Sequence, residues 1–134
     1  MVIPKTPLLT VDCVVRDASG RILLVTRANS PFRGRLALPG GFVNRGESVE
    51  DACRREVKEE TGLKLNRLRL VGVYSEPGRD PRGPICSVAF FASVRVRAVK
   101  GGDDARDAAW VADWKSAHLA FDHRDIITDA LRLY

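Results

Sequence analysis

The chain has 134 residues, of which 45% are hydrophobic, and its 22 lysine and arginine residues exceed its 17 aspartate and glutamate residues, giving a net charge of +5. This size fits one compact domain over residues 1–134 and leaves little length for a second. The positive charge favours an anionic partner, but the basic residues are spread among acidic ones, so we expect a mixed, solvated surface and no nucleic-acid partner.

The three cysteines, Cys13, Cys53 and Cys86, stand far apart in apolar segments and match no metal-binding spacing. We expect them to be buried, reduced thiols. The amino-terminal segment lacks the basic region of a secretion signal, and no apolar run approaches the length of a membrane span. These patterns predict a soluble, cytoplasmic protein without a membrane partner.

The first half of the chain alternates between strand and helix patterns. The predicted strands cover residues 8–17, 22–27 and 36–42, and a polar turn joins the first two into a hairpin. The third runs into a glycine turn. A helix is predicted over residues 48–61, with Ser48 as its amino-terminal cap and Gly62 as its carboxyl-terminal stop.

The second half predicts more strands and a final helix. The strands cover residues 68–75, 85–96 and 108–111, and the second of these is long and apolar enough to be central. The final helix covers residues 122–133, with Asp122 as its cap. This order of elements predicts an α/β domain with a mixed sheet between helices.

The central helix crowds three glutamates, Glu56, Glu59 and Glu60, into about one turn. Like charges three or four residues apart on a helix repel each other by about 0.2–0.5 kcal/mol. The apolar stripe that begins at Ala52 and Cys53 continues through positions 56 and 60, so two carboxylates face the core side by side. A buried carboxylate must be protonated, paired with a cation or bound to a metal ion.

Helix periodicity alone leaves two interpretations of this cluster open. Clustered oxygen ligands suit Mg²⁺ or Mn²⁺, and a bound ion would remove the repulsion. The alternative is an ordinary solvated helix face on which Arg54, Arg55 and Lys58 balance the acids. The surrounding sequence decides between the two.

Residues 41–63 read GFVNRGESVEDACRREVKEETGL. Glu47 follows Gly41 after five residues, and seven more residues separate Glu47 from the run that begins at Arg55. This segment resembles the complete signature of the Nudix hydrolases, with no departure at any defining position. A chance match anywhere in the chain has a probability on the order of 10⁻⁷ from residue frequencies. The resemblance implies a Nudix-type α/β/α sandwich and favours the metal site.

The resemblance also implies an enzyme that cleaves the phosphoanhydride of a nucleoside diphosphate linked to another group, with divalent metal and water. Carried onto this chain, Glu56 and Glu60 would bind Mg²⁺, and Glu59 would bind a further ion or take the proton of the attacking water. The main-chain carbonyl of Gly40 would add an oxygen ligand. Gly40 and Gly41 would let the backbone approach the phosphates.

Three more residues receive catalytic roles from the resemblance. Arg55 would orient Glu56 or Glu59 of residues 41–63, called the box below, by a charge-assisted hydrogen bond. Glu47 would tie the preceding loop to the helix or assist the water network. The general base comes either from the box or from a later loop that holds Asp103, Asp104 and Asp107. Asp104 is the loop residue that we expect, although acidic residues also favour simple turns.

Residues 74–83, YSEPGRDPRG, resemble the corresponding segment of ADP-ribose pyrophosphatase-like members. Arg79 and Arg82 would grip phosphate or the terminal ribose, with Asp80 orienting one of them. A solvated turn that carries arginines is the alternative. Phe32 would stack on a base. A proline follows the segment where such relatives often carry histidine, which leaves the exact substrate open.

We therefore expect Mg²⁺-dependent hydrolysis of ADP-ribose to AMP and ribose 5-phosphate. The resemblance also makes a homodimer possible, because family members of this size are often dimers. One alternative is a pyrophosphatase that removes oxidised nucleoside triphosphates from the nucleotide pool, and another is a non-catalytic domain that senses ADP-ribose. His118 and His123 match no metal spacing, and His123 is expected to belong to the cap of the final helix.

Overall fold

A mixed β-sheet lies at the centre of the computed structural model, which describes residues 2–95 and 105–134. Its strands are β1 (Leu8–Arg16), β2 (Ile22–Arg27), β3 (Leu36–Ala37), β4 (Gly40–Phe42), β5 (Arg69–Tyr74), β6 (Ile85–Ser93) and β7 (Ala105–Val111). The helices are α1 (Val49–Thr61) and α2 (His123–Leu133), preceded by a short 3₁₀ turn at Trp114–Ser116. The predicted α/β class is confirmed.

The strands run in the order β3, β2, β1, β6, β5, and β4 and β7 pair with β1 and β2 respectively. Only the contact between β1 and β6 is parallel among the pairings of the described strands, and it extends from Leu8 opposite Ile85 to Arg16 opposite Ser93. The other pairs are antiparallel. The strand predicted to be central, β6, lies between β1 and β5 as expected.

The alternation of side chains along the strands builds one core on each face of the sheet. One core packs α1 against the sheet, and its buried members include Val11, Cys13, Leu23, Cys53 and Val57. The other packs α2 against the opposite face, and its buried members include Val14, Ile22, Leu24, Ile126 and Ile127. The sheet therefore lies between the two helices, as the sequence predicted.

The ends of α1 follow the sequence pattern. The Ser48 side chain accepts a hydrogen bond from the main-chain N–H of Asp51 at 3.1 Å, which satisfies a donor that the first turn leaves without a partner. Gly62 ends the helix in the left-handed conformation, with φ of 81°. Neither helix among the described residues is long and apolar enough to cross a membrane.

The predicted strand over residues 36–42 is wrong as a single element. Its first part is β3, which pairs with β2, and its second part is β4, which pairs with β1. Pro39 lies between them, has no N–H to donate to a ladder, and accepts a hydrogen bond from Cys13 N–H instead. The change of partner carries Gly40 and Gly41 across the sheet toward α1.

Two other expectations differ from the structure. Asp122 precedes α2, but its side chain forms no capping hydrogen bond. Its carboxylate instead accepts hydrogen bonds from Arg79 Nε and Nη2, at 2.8 and 2.6 Å. All three cysteines are free, but Cys86 is only partly buried.

Candidate active site

A cleft of about 420 Å³ opens where β1, β2 and β4 meet the carboxyl-terminal half of α1. Residues from six parts of the chain line it, and those used below are Asp12, Arg27, Gly40, Gly41, Phe42, Glu56, Glu60, Arg79, Asp80, Arg82, Phe121 and His123. Six of these residues lie outside both helices and outside residues 40–63. The fold therefore brings distant segments of the chain together in this cleft.

Two of the three helix glutamates are buried. Glu56 and Glu60 expose 9% and 6% of their surface, whereas the Glu59 side chain is 53% exposed. The Glu56 and Glu60 side chains lie next to each other in the lining of the cleft. Burial raises the pKa of Glu56, although its hydrogen bond to Arg55 opposes the rise. Two adjacent buried carboxyl groups therefore hold a proton between them or require a cation.

The glycines that follow Pro39 pack directly against these carboxyl groups. The main-chain N–H of Gly40 donates to Glu60 Oε1 at 2.9 Å. A Cβ on Gly41 would lie 2.6–2.7 Å from the carboxyl atoms of Glu56, which is closer than any side chain permits. The backbone at position 41 thus lies directly against the Glu56 carboxylate, and a side chain there would displace that carboxylate. The carbonyl of Gly40 as a metal ligand stays a prediction.

Arg55 joins the preceding loop to the helix acids. Its guanidinium donates to both oxygens of Glu47, at 2.7 and 3.0 Å, and to Glu56 Oε1 at 2.7 Å. It also lies 3.3 Å from Glu59 Oε2 and donates to the carbonyl of Phe42. The hydrogen bonds from Arg55 lower the pKa of Glu47 to about 2. The structure brings these residues together, while their catalytic roles stay predictions.

The donor set fits a hard divalent cation. Glu56, Glu59 and Glu60 supply carboxylate oxygens, the ligands that Mg²⁺ and Mn²⁺ prefer. Within residues 2–95 and 105–134, no three acidic, histidine or cysteine side chains already converge at metal-binding geometry. The contacts of Glu56 with Arg55 and of Glu60 with Gly40 explain why, since they hold oxygens that a cation would share.

The predicted loop base, Asp104, lies outside the described residues, as does Asp103. Asp107 is exposed on β7 and does not line the cleft. The general base therefore stays a choice between the box glutamates and Asp104.

The predicted substrate arginines are both held by carboxylates. The Arg79 side chain is 5% exposed and forms the two-fold hydrogen bond with Asp122 described above. Asp80 Oδ1 accepts from Arg82 N–H and Nε, and Asp80 Oδ2 accepts from Arg82 Nη2 at 2.8 Å. Burial would raise the pKa of Asp80, but the Arg82 hydrogen bonds lower it. Asp80 thus orients Arg82 in the cleft wall.

An aromatic ring that sequence analysis missed lines the cleft beside Arg82. The Arg82 guanidinium lies 5.2 Å from the ring of Phe42 and 5.4 Å from the ring of Phe121. Phe32, which we expected to stack on a base, packs edge-on against Phe121 at 4.9 Å and does not line the cleft. Phe121 therefore lines the cleft together with Phe42, and Phe32 packs against Phe121 from outside the lining.

Arg27 is a second residue that sequence analysis missed. It ends β2, stacks on Phe121 at 5.0 Å and donates from Nε to the carbonyl of Pro31. Burial and the charge of Arg82 lower its pKa. It forms no ion pair with a carboxylate in the described part of the chain. An alternation of side chains along β2 would have put Arg27 on the face of Val25, but the pairing of β2 with β7 is irregular between these two residues.

His123 differs from the expected helix cap. Its buried ring accepts a hydrogen bond from Leu38 N–H at Nδ1, at 2.9 Å, and its Nε2 lies 3.3 Å from Asp12 Oδ1. The hydroxyl of Ser87 donates to Asp12 Oδ2 at 2.5 Å. Burial would raise the pKa of Asp12, but His123 and Ser87 lower it. No local sequence signal links positions so far apart in the chain.

Comparison with known proteins places this site in context. The family described as the NUDIX domain matches residues 6–129. An ADP-ribose pyrophosphatase of Methanocaldococcus jannaschii is 48% identical over 126 residues, which cover 94% of this chain and 74% of that protein. The ADPR responsive transcriptional repressor NtrR of Acinetobacter baylyi is 32% identical over 133 residues, which cover 93% of this chain and 53% of the repressor.

A solved structure resembles the whole described fold. The cocrystal structure of the NUDIX domain of Shewanella oneidensis NrtR with ADP ribose superimposes with a TM-score of 0.89 at 33% identity. The match covers 97% of this chain and 90% of that domain.

Replacing Glu47 by Gln removes the ion pair with Arg55 and lowers the free energy of unfolding at neutral pH. Because folding lowers the pKa of Glu47 from 4.5 to about 2, its contribution is present above 4.5 and is lost as pH falls toward about 2. Urea unfolding of both proteins should therefore give a stability difference that shrinks with acid. The Glu50→Gln variant, at an exposed site on α1, is the control. A difference that stays constant with pH would contradict this account.

Proposed function

Because the chain belongs to the NUDIX family, we propose that it hydrolyses the pyrophosphate bond of ADP-ribose with Mg²⁺ and water, giving AMP and ribose 5-phosphate. The observation that carries the proposal is the pair of buried carboxyl groups on α1, Glu56 and Glu60, which face the cleft and abut Gly40 and Gly41. Burying two acids together is costly unless a cation binds there, and a diphosphate is a ligand that such a cation attracts.

The chain's own residues would share the work as follows. Glu56 and Glu60 would hold the cation, which when bound lowers the pKa of a water molecule and offsets negative charge on the diphosphate oxygens. Arg55 fixes Glu56 and reaches Glu59, so both carboxylates have a set orientation. Glu59, the exposed member, is placed to accept the proton of the attacking water. Asp104 remains the alternative base.

ADP-ribose as the substrate rests on the relatives and on the cleft wall. The 48% identical relative is an ADP-ribose pyrophosphatase, and the 33% identical domain was crystallised with ADP ribose. In this chain, Arg27 and Arg82 stack against Phe121, and all three residues line the same cleft as the acids. Guanidinium groups suit the anionic oxygens of a diphosphate, and an aromatic ring suits a base or a ribose.

A sensing function is the second candidate, because the 32% identical relative is an ADPR responsive transcriptional repressor. This chain spans about half of that repressor, and it keeps every box carboxylate.

A cytoplasmic location is part of the proposed function, since free cysteines suit a reducing compartment. The homodimer and the lack of a nucleic-acid partner stay predictions.

Product analysis tests the proposed reaction. The purified protein with Mg²⁺ should release AMP and ribose 5-phosphate from ADP-ribose faster than it degrades NADH, ADP-glucose, a dinucleoside polyphosphate or normal and oxidised dNTPs. A variant with both Glu59→Gln and Glu60→Gln should lose this activity. Preference for a dNTP with release of pyrophosphate would favour the nucleotide-pool enzyme, and tight ADP-ribose binding without turnover would favour the sensor.

Thermal unfolding tests the cation site without substrate. Mg²⁺ at 100 times its dissociation constant should stabilise the folded chain by about 2.7 kcal/mol. Glu56→Gln and Glu60→Gln should each abolish the rise in melting temperature, while Glu50→Gln, exposed at the start of the same helix, should retain it. If the response survives in both cleft variants, the assignment of the cation to α1 is wrong.

Substitution of Arg27 tests the cleft wall. Arg27→Gln should raise the KM for ADP-ribose about 10- to 100-fold, because a hydrogen bond to a charged group contributes about 1.5–3 kcal/mol. Arg35→Gln is the matched control, since Arg35 also stacks on a phenyl ring, that of Phe32, but does not line the cleft. Equal KM values for the two variants would remove Arg27 from the binding site.

A further inference from the structure

We propose that His123 is a positioning residue for the reaction, which sets the place of the Glu60 carboxylate through the main chain of residues 38–40. His123 lies at the start of α2 and Glu60 on α1, and each accepts a hydrogen bond from the main chain of this segment. The inference rests on the cation-dependent hydrolysis proposed above and adds a residue on the opposite side of the sheet.

The segment between β3 and β4 is held from both faces of the sheet. Leu38 N–H donates to His123 Nδ1, from α2, and Gly40 N–H donates to Glu60 Oε1, from α1. Pro39 has no N–H, and its carbonyl accepts from Cys13 N–H at 2.9 Å. The two N–H groups in this segment are therefore both used by side chains of the two helices, one on each side.

The hydrogen bond to Leu38 fixes the proton arrangement of the His123 ring. Because a main-chain N–H donates to Nδ1, this nitrogen must carry a lone pair, and the ring proton lies on Nε2. Nε2 faces Asp12 Oδ1, whose carboxylate accepts that proton's hydrogen bond. The imidazole thus acts as an acceptor toward Leu38 and as a donor toward Asp12, and both contacts are buried.

Two routes lead from His123 to the cleft, and they differ in strength. Through Asp12, the ring supports a carboxylate that packs on Gly40, where a Cβ would lie 2.8 Å from Asp12 Oδ1. Ser87 also holds Asp12, so this route has a second support. Through Leu38, the ring accepts the hydrogen bond of an N–H two residues before Gly40. Loss of the Leu38 bond therefore moves Gly40, and with it the partner of Glu60.

Two substitutions separate the routes. His123→Asn keeps an oxygen near the place of Nδ1 and can accept from Leu38 N–H, but it cannot reach Asp12. His123→Gln keeps an amide N–H near the place of Nε2 and can donate to Asp12, but it leaves Leu38 N–H without an acceptor. Ser87→Ala is the control, because it removes one buried hydrogen bond from Asp12 and leaves Leu38 untouched.

Three measurements on the full chain test the proposal. Without metal, the Leu38 amide should exchange with solvent faster in His123→Gln than in wild type, His123→Asn or Ser87→Ala. The rise in melting temperature caused by Mg²⁺ should be smaller only in His123→Gln. With ADP-ribose, the kcat of that variant should fall about 10- to 100-fold, as supporting residues of metal sites usually show, while its KM stays unchanged.

Several outcomes would overturn the inference. Wild-type kcat in His123→Gln, or an equal loss of kcat in His123→Asn and His123→Gln, would show that positioning does not run through Leu38. A loss of kcat in Ser87→Ala of the same size would show a general effect of destabilisation. The amide exchange and the Mg²⁺ response need no substrate, so they decide the role of His123 even if ADP-ribose is not hydrolysed.

Discussion

The burial of two neighbouring carboxyl groups on one helix face is the constraint around which this fold is arranged. An ionised pair in that position is unstable without a nearby positive charge, and a neutral pair would bind a cation poorly. Two hydrogen-bond donors stabilise these carboxylates, the Arg55 guanidinium from the same helix and the main-chain N–H of Gly40 from β4. Each donor offsets part of the negative charge, and a bound cation would offset more. Stability and reactivity are thus set by the same contacts.

The remaining charges of the cleft follow from this constraint. Three arginines line the cleft, and two of them form ion pairs, Arg79 with Asp122 and Arg82 with Asp80. These ion pairs fix the shape of the cleft, but their opposite charges nearly cancel, so they add little net electrostatic potential. Arg27 differs, because aromatic and main-chain contacts hold it in place of an acid. Among the described residues, the cleft therefore combines two buried carboxyl groups with an arginine that forms no ion pair, an arrangement suited to an anion bridged by a metal ion.

Features of the fold and the site could be predicted from the sequence where they depend on neighbouring residues, and could not where they depend on contacts between distant segments. The ends of α1 and the inward direction of Glu56 and Glu60 follow from local spacing, so the sequence predicted them well. The exchange of partners at Pro39 required knowledge of which strands lie beside residues 36–42. The His123 contact with Leu38 joins segments 85 residues apart, and no periodicity encodes that. Phe121 was overlooked because its loop has no repeat, and the neighbouring Phe32 took its place in the prediction.

The parallel pairing of β1 with β6 has a consequence for the order in which the chain acquires its structure. β1 leaves the ribosome early, but its long central neighbour begins at Ile85, after the whole glutamate-bearing helix has been made. Contacts between such distant segments form slowly because closing the intervening chain costs entropy. The residues of the acidic helix are therefore synthesised after Arg27 and Gly40 but before Arg79, Arg82 and Phe121. The lining of the cleft is complete only when β6 and the segment before α2 have packed onto the earlier strands.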